Sequence, residues 1–489
     1  MAQPTFLVYD YETFGLPARV QSPATFAAQR YDLEFNPIGE PLSLMCRPRL
    51  DVLPDVAACM LTGISPMQAM NEGMAETLFA KQINEVMSVP GTIGMGYNTI
   101  GFDDEVTRFL FWRNLIDPYA REWQNGNTRW DLMDVARCAW ALRPEGMNWP
   151  EVNGKPSFKL ELLTQANGLL HEQAHSALSD VQATVELAKL LRQKQPRFFD
   201  YCLENRHKNT VAERVGIHSN EQKAFLLCRM ATGVKSGFLQ VLTPLGMSAN
   251  NKNEVLCWNL SQSPDKLREA LDAGSLEGLK GIVRVSLNKA PVVIDDVRAL
   301  SVERARQFGI DLEQAQARLP EIAQLRVQAG KVLAQGSARP KFDPVDVDEA
   351  LYEGFLSDGD RINLNRVFRS LKAGNIQWMD ERLPELVERF LARNLYEPLE
   401  DPAYRELVRN RLVSKVEGFQ NLFEFDAAIA KVRDNAEATP QQLLMADSLE
   451  EYSSYVKNRL CPLLIPALDR ELSSLDTQDT QGRKLRSAP

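Results

Sequence analysis

The apolar run Phe6-Leu7-Val8-Tyr9 leads straight into Asp10-Tyr11-Glu12, and Thr13-Phe14-Gly15 follows. The aromatic and β-branched content predicts a buried strand, and Thr-Phe-Gly predicts the turn that ends it. Side chains two positions apart share a strand face, so Asp10 and Glu12 project side by side from the end of a core strand. Two carboxylates held together repel, and one tends to keep a proton; a divalent cation removes the conflict. Oxygen donors without histidine or cysteine match a hard ion such as Mg2+ or Mn2+. Taken alone, the stretch also fits two unrelated acids at a solvated strand end.

The chain has 489 residues, enough for roughly two to four domains. Its net charge of −9 excludes a generally basic coating protein. It leaves room for a nucleic-acid enzyme with a local basic groove. Seven cysteines, widely spaced and without a C-x-x-C pair, argue against both a zinc site and a disulfide framework. No run approaches a membrane span and no export signal opens the chain, so the expectation is a reduced, cytoplasmic protein away from membranes.

Residues 1–195 mix strands and helices. "TFLVYDYE", "TFAAQRYD" and "EPLSLMCRP" read as strands, and "GMAETLFAKQINEVMSV" as a helix with Leu78, Ile83 and Val86-Met87 on one side. "GTIGMGYN" reads as a short strand entering a loop. "DDEVTRFLFWRNL", "RWDLMDVARCAWAL" and "SDVQATVELAKLLRQKQ" read as helices. The pattern predicts an α/β (α+β) layer of nuclease type. Residues 197–220 read as a connection. From 221 to 300 come the short strand-like runs "FLQVLTPLG", "EVLCWNL" and "GIVRVSLNKAPVVI", with helices appended at 301–335. "GSARPKFDPVDVD" (336–348) reads as a linker, and 349–475 as helical almost throughout. The expected division is 1–195, 196–347, 348–475 and a disordered tail, 476–489.

Two further stretches carry acids. "GYNTIGFDDEVTRFLF" puts Asp103 and Asp104 at a helix entry. One can cap the helix and face its dipole, which leaves the other for separate work. The preceding Gly94-Met95-Gly96 lets backbone approach a ligand closely. In "HEQAHSALSDVQATVELAKLL", His175 precedes Asp180 by five residues. That offset does not share a helix face, so His175 belongs on the loop before a helix whose first turn holds Asp180. A lone histidine is more often a packing or surface residue; beside a hydrolytic metal site it suits a general base.

D-x-E, "FDDEVTR" and H-x4-D in this order resemble the DEDDh exonuclease superfamily. "DYETFG", "FDDEVTR", "RWDLMDV", "LRPEGMNWP" and "QPRFFDY" resemble the bacterial exodeoxyribonuclease I family, as does the three-part layout along essentially the whole chain. The resemblance implies an RNase H-like DEDDh exonuclease domain, an SH3-like β-barrel domain and an all-helical C-terminal domain. It implies hydrolysis of single-stranded DNA from 3′ to 5′, releasing 5′-mononucleotides, in DNA repair and recombination. It implies two Mg2+ ions, with Mn2+ able to substitute. Asp10 would bridge both ions, Glu12 and Asp180 would complete the first, and Asp103 would hold the second through water. His175 would take a proton from the attacking water. Two cations roughly 3.5–4 Å apart stabilise the entering and leaving oxygens of a phosphodiester, which accounts for the crowded acids.

By the same resemblance, Glu12, Arg108, Tyr119, Trp123, Arg137 and Lys159 would contact the strand. Aromatic faces stack bases without reading them, and arginines pair phosphates. Phe109, Trp112 and Trp130 read instead as helix core. Relatives commonly carry Arg where Lys159 stands, and lysine lacks the bidentate fork. A His often occupies the place of Tyr9, to which no role is given. The implied partners of a monomer are single-stranded DNA and the acidic C-terminal tail of single-stranded DNA-binding protein. Arg143 is a candidate for the tail's basic pocket, or pairs with a nearby acid. A DEDDh exoribonuclease or a proofreading exonuclease is the alternative, against which the additional residues beyond the first domain argue. A scaffold that had lost catalysis would lack a carboxylate, and none is missing.

Overall fold

The computed structural model describes residues 3–169, 176–335, 345–395, 397–416 and 418–460. The opening run forms β1 (Thr5–Thr13), the middle strand of a five-stranded sheet. β1 pairs antiparallel with β2 (Pro23–Tyr31), and β2 with β3 (Pro37–Met45). Three helices follow, α1 (Val56–Thr62), α2 (Pro66–Glu72) and α3 (Glu76–Met87). β4 (Thr92–Gly96) then runs parallel to β1. After α4 (Asp103–Arg113), β5 (Thr128–Asp131) runs parallel to β4, giving the order β3-β2-β1-β4-β5. α5 (Leu132–Leu142), a short pair β6 (Glu151–Val152) and β7 (Lys155–Pro156), α6 (Leu160–Ala166) and α7 (Ala177–Lys194) complete this layer.

Alternation along β1 decides what covers each face. Phe6 and Val8 join a core with Val135 and Ala139 of α5 and Val181 and Val185 of α7. Leu7, Tyr9 and Tyr11 point the other way, into Phe79 and Ile83 of α3 and Val106 and Leu110 of α4. The strand is therefore buried on both sides, as its near-continuous apolar sequence requires.

α8 (Pro196–Glu204) and α9 (Lys208–Val215) lead into a second sheet. It comprises β8 (Phe225–Cys228), β9 (Leu239–Met247), β10 (Glu254–Asn259), β11 (Ile282–Ser286) and β12 (Val292–Ile294), in the antiparallel order β11-β10-β9-β8-β12. α10 (Pro264–Asp272) connects β10 to β11; α11 (Val302–Gln307) and α12 (Leu312–Ala334) follow. The helical remainder holds α13 (Asp358–Ser370), α14 (Leu383–Arg393), α15 (Pro402–Val413), α16 (Leu422–Arg433) and a last helical stretch, 440–460.

Several local expectations are corrected. Thr128-Arg129-Trp130-Asp131 is the edge strand β5, not the start of a helix, because it completes the sheet beside β4. Residues 197–220, read as a connection, are largely α8 and α9. Pro196 begins α8, where its missing N–H breaks no helical bond. Leu78 of α3 is 54% exposed; Phe79, Ala80, Ile83 and Met87 form the inward stripe, and Leu78 lies five residues from Ile83, off its face. "EPLSLMCRP" begins earlier than expected, at Pro37. Of the expected linker, residues 336–344 lie outside the described residues, while Val347 and Asp348 are buried.

The first and second parts each hold a core of their own, around Tyr11 and Phe79 and around Phe225 and Val255, but other clusters cross between parts. Trp130 and Leu132 share one cluster with Leu239 and Phe308. Phe109, Trp112 and Leu115 pack with Val347, Leu364, Val387 and Phe390 of the helical part. An ionic seam runs beside them: Arg393 reaches Asp348 at 2.6 Å and Asp51 at 3.0 Å, and Arg411 reaches Asp346 at 2.7 Å. Burial alone would raise Asp51, but Arg393, Arg49 and Arg411 outweigh it and hold the carboxyl far below its usual range. Cys46, Cys59, Cys138, Cys202, Cys228 and Cys257 are free and buried. Among the described residues no helix is long and apolar enough to cross a membrane.

Candidate active site

β1 and β4 are parallel, so their carboxyl ends meet at one edge of the sheet, where open α/β sheets place their ligands. Asp10 and Glu12 continue the Phe6–Val8 face beyond the apolar part of β1. α7 packs over that face, and its first turn delivers Asp180. One carboxylate oxygen from each of Asp10, Glu12 and Asp180 lies within 4.8 Å of the others. Asp103, at the start of α4, comes from the β4 side; its Oδ1 accepts the Tyr11 N–H at 3.0 Å.

The electrostatics match the crowding. Burial, then the charges of Asp103, Asp180 and Glu12, push Asp10 well above the ordinary carboxylate range. Burial and Asp180 push Glu12 up to about 8. Burial likewise raises Asp103, with the Tyr11 N–H opposing it. For Asp10 and Glu12, the causes among the described residues are burial and neighbouring carboxylates alone. Oxygen-only donors this close, each unfavourable as a bare anion, fit a hard divalent cation.

Asp104, one residue on, has the opposite surroundings. It is fully buried and accepts the Tyr9 hydroxyl at 2.7 Å. Arg121 pairs with it at 2.5 Å, and Arg129 lies on its other oxygen. Burial opposes ionisation, but Arg121, Arg129 and Arg108 overcome it and hold Asp104 far below its usual value. Of the adjacent acids, Asp103 faces the carboxylate group and Asp104 anchors the helix. Tyr9 therefore has a structural part that the sequence did not disclose.

Asp131 fixes the loop between β4 and α4. It accepts the N–H groups of Asn98 and Ile100, each at 3.0 Å, while capping α5 through Met133. Burial lifts it to about 6 despite these bonds. Gly96 is required by this loop: a Cβ there would stand 2.1 Å from Thr99 Cγ2 and 2.9 Å from the Tyr9 carbonyl oxygen.

Comparison with known proteins agrees along most of the chain. An exonuclease family model matches residues 7–188, an exonuclease I SH3-like domain model 206–335, and an exonuclease I C-terminal domain model 345–456. Exodeoxyribonuclease I of Escherichia coli (strain K12) is 41% identical over 410 residues, covering 80% of this chain and 86% of that one. This chain belongs to the exodeoxyribonuclease I family. The solved structure of E. coli exonuclease I in complex with a dA16 oligonucleotide superposes with a TM-score of 0.82 at 35% identity, covering 93% of this chain and 100% of that one. A structure of SSB/exonuclease I in complex with inhibitor CFAM gives the same TM-score, 0.82, and identity, 35%.

In this exodeoxyribonuclease I family member, the arginine- and aromatic-rich run is mostly internal. Phe109, Trp112 and Trp130 are core residues, as read from the sequence. Its arginines are largely engaged by carboxylates. Arg108 forks onto Glu122 at 2.8 and 3.1 Å and pairs with Glu105 at 2.5 Å. Arg129 also reaches Glu122, and Arg113 pairs with Glu76. Arg137 pairs with Asp134 at 2.5 Å and lies over the Phe158 and Phe238 rings. These arginines thus neutralise buried or half-buried acids of their own domain. Trp123 is 66% exposed, and the Lys159 side chain 73%, its Nζ 3.7 Å from Glu161. Tyr119 lies between the Arg108 guanidinium and Phe355. Arg143 donates to the Ala299 carbonyl at 2.9 Å. His175 lies outside the described residues. Sequence reasoning gave no role to Arg121, Arg129 or Asp131 at the site; the arginines stand in the run already noted, but nothing local names Asp104 as their partner.

Proposed function

We propose that this chain is a divalent-metal-dependent exonuclease that removes 5′-mononucleotides from the 3′ end of single-stranded DNA. The observation that carries the reading is the convergence of Asp10, Glu12 and Asp180 oxygens within 4.8 Å at the carboxyl edge of the sheet. The oxygen-only donor set favours Mg2+, with Mn2+ in its place, and Asp103 stands on the side suited to a second ion. When bound, such ions polarise the phosphodiester and offset the charge that builds on it. Asp10, Glu12, Asp180 and Asp103 would hold them. His175 is the proposed general base on the attacking water. The relatives' complexes with an oligonucleotide support single-stranded DNA as substrate.

Trp123 and Tyr119 offer faces for unpaired bases and Lys159 a charge for a phosphate. Arg108 and Arg137, held by Glu105, Glu122 and Asp134, are proposed to line the strand's path. The acidic tail of single-stranded DNA-binding protein is the proposed protein partner, supported by the SSB/exonuclease I structure. The enzyme is proposed to work as a cytoplasmic monomer in DNA repair. The test is product analysis on 5′-labelled and 3′-labelled single-stranded DNA, with matched RNA, in Mg2+ and in chelator. Mononucleotides released from the 3′ label first, from DNA only and with Mg2+ only, are expected. Equal digestion of RNA would favour the exoribonuclease alternative, and digestion in chelator would remove the metal assignment.

A further inference from the structure

β11 and β12 stand at opposite edges of the second sheet, and residues 287–291 carry the chain between them. Within this connection Leu287 and Ala290 are buried, while Asn288 and Lys289 are exposed. The Leu287 N–H donates to the Asn253 carbonyl at 2.8 Å. The Asn288 carbonyl accepts Nη2 of Arg129, from the exonuclease domain, at 3.1 Å. The connection is therefore pinned from both parts, and it presents Lys289 to the entry of α4.

Lys289 meets a wall that is already neutralised. Arg108, Arg121 and Arg129 are matched there by Asp104, Glu105 and Glu122 in short ion pairs. Those acids are taken, and among the described residues Lys289 forms no ion pair and its ammonium no hydrogen bond. The surroundings disfavour its charge. Burial by the wall, then Arg108, hold the ammonium below its ordinary value; Arg129 adds to this, and Glu105 and Glu122 oppose it. The residue is still open to solvent, so a ligand can reach it. An ordinary surface lysine is solvated and indifferent to its neighbours. This one is a cation set beside two others on a pinned turn, and an anion in front of it would offset the repulsion.

The same rim offers aromatic faces. The Arg108 guanidinium carbon lies 5.5 Å from the Tyr119 ring centroid, and the exposed Phe355 ring lies 6.5 Å from the same centroid. Tyr352, also exposed, accepts Nη1 of Arg108 at 3.2 Å through its hydroxyl. An accessible cation beside exposed aromatic rings is the pattern that holds an unpaired strand without reading its bases.

We propose that Lys289 positions the substrate strand: its ammonium binds a backbone phosphate, and so gives the second part of the chain a hold on the DNA. Arg129 and Asp104 stand between this turn and Asp103, so the phosphate is not the one being cleaved. Lysine acts as a point charge that needs no fixed fork, which suits a strand that advances after each cut. The proposal rests on the single-strand reading above.

The test measures binding of a long oligothymidylate by the full chain carrying Asp180→Ala, the parent here, across several salt concentrations. Lys289 is exposed and unpaired, so Lys289→Ala should unfold at the parent's midpoint. It should bind about tenfold more weakly, the equivalent of one charged hydrogen bond. Its log–log salt slope should be flatter by roughly 0.7, the share of one phosphate of a single strand. Lys289→Arg should restore both. Single methylphosphonates, walked along the strand from its 3′ end, supply the pairwise reading: one neutralised position should weaken binding to the parent and leave binding to Lys289→Ala unchanged. Matching affinities and slopes for the parent and Lys289→Ala, or a methylphosphonate penalty that both share at every position, would overturn the proposal and leave the single-strand reading intact. A parent that does not bind the strand at all would overturn both.

Discussion

Replacing Glu12 with glutamine should stabilise the metal-free protein while destroying its activity. In the folded chain, burial and Asp180 hold the Glu12 proton until about pH 8, whereas an ordinary glutamate loses it near 4.5. Between those values the folded state binds more protons than the unfolded one. Stability contributed by protonated Glu12 is therefore complete below about pH 4.5 and is lost as pH rises towards 8. The gap from 4.5 to about 8 corresponds to at most ~5 kcal/mol. The carboxylate is partly solvated, and ~2 kcal/mol is the expected effect. The glutamine side chain keeps the shape of the protonated acid and has no proton to lose. Denaturant midpoints of parent and Glu12→Gln in chelator should coincide near about pH 4.5, diverge in favour of the variant, and level off above about pH 8. Mg2+ should then stabilise the parent much more than the variant. A variant no more stable than the parent at high pH would refute the reasoning, since the acids would then be compensated by groups other than a metal.

Asp10→Ala and Asp180→Ala should each reduce cleavage of single-stranded DNA by far more than tenfold, or more than ~1.4 kcal/mol of barrier, with unchanged circular dichroism. His175→Ala should slow cleavage ~10²–10⁴-fold; calorimetry should show Mg2+ binding intact, and its loss would make His175 a ligand or a structural residue. In an inactive background, Trp123→Ala should weaken DNA binding by ~1–3 kcal/mol with the log–log salt slope unchanged, while Lys159→Ala should flatten that slope by roughly 0.7. Arg108→Met should lower stability by ~3 kcal/mol, because Glu105 and Glu122 lose a buried partner; an effect confined to DNA affinity would instead return Arg108 to the strand.

What could be read from the sequence was whatever depends on local period. The strand face shared by Asp10 and Glu12, and the first-turn place of Asp180, follow from spacings of two and from a helix start. The choice between Asp103 and Asp104 does not. It is made by Arg121 and Arg129, whose ion pairs close over 17 and 25 residues, and no local pattern announces them. The same limit explains the arginines from 108 to 137: sequence counts their charges but not the carboxylates that absorb them. It also explains β5, since Thr128–Asp131 is a strand only because β4 lies beside it. The cores shared across the three parts were likewise not visible, because a boundary drawn on changes of texture says nothing about which side chains cross it.

α4 begins with Asp103 and ends against the helical domain. Its eleven residues span about 16 Å at 1.5 Å each. At the far end the Trp112 indole N–H donates to the Val347 carbonyl at 2.8 Å, and Phe109 and Trp112 lie among Leu364, Val387 and Phe390. A gene cut after residue 195 would thus strip the cover from two large aromatic side chains on the very helix that carries Asp103 to the carboxylate group. The catalytic layer is not a cassette that can be transplanted or shuffled by itself; the helical part belongs to it as a keystone belongs to an arch, and lineages that shortened the chain from that end would have had to repaint this helix before they could keep the chemistry.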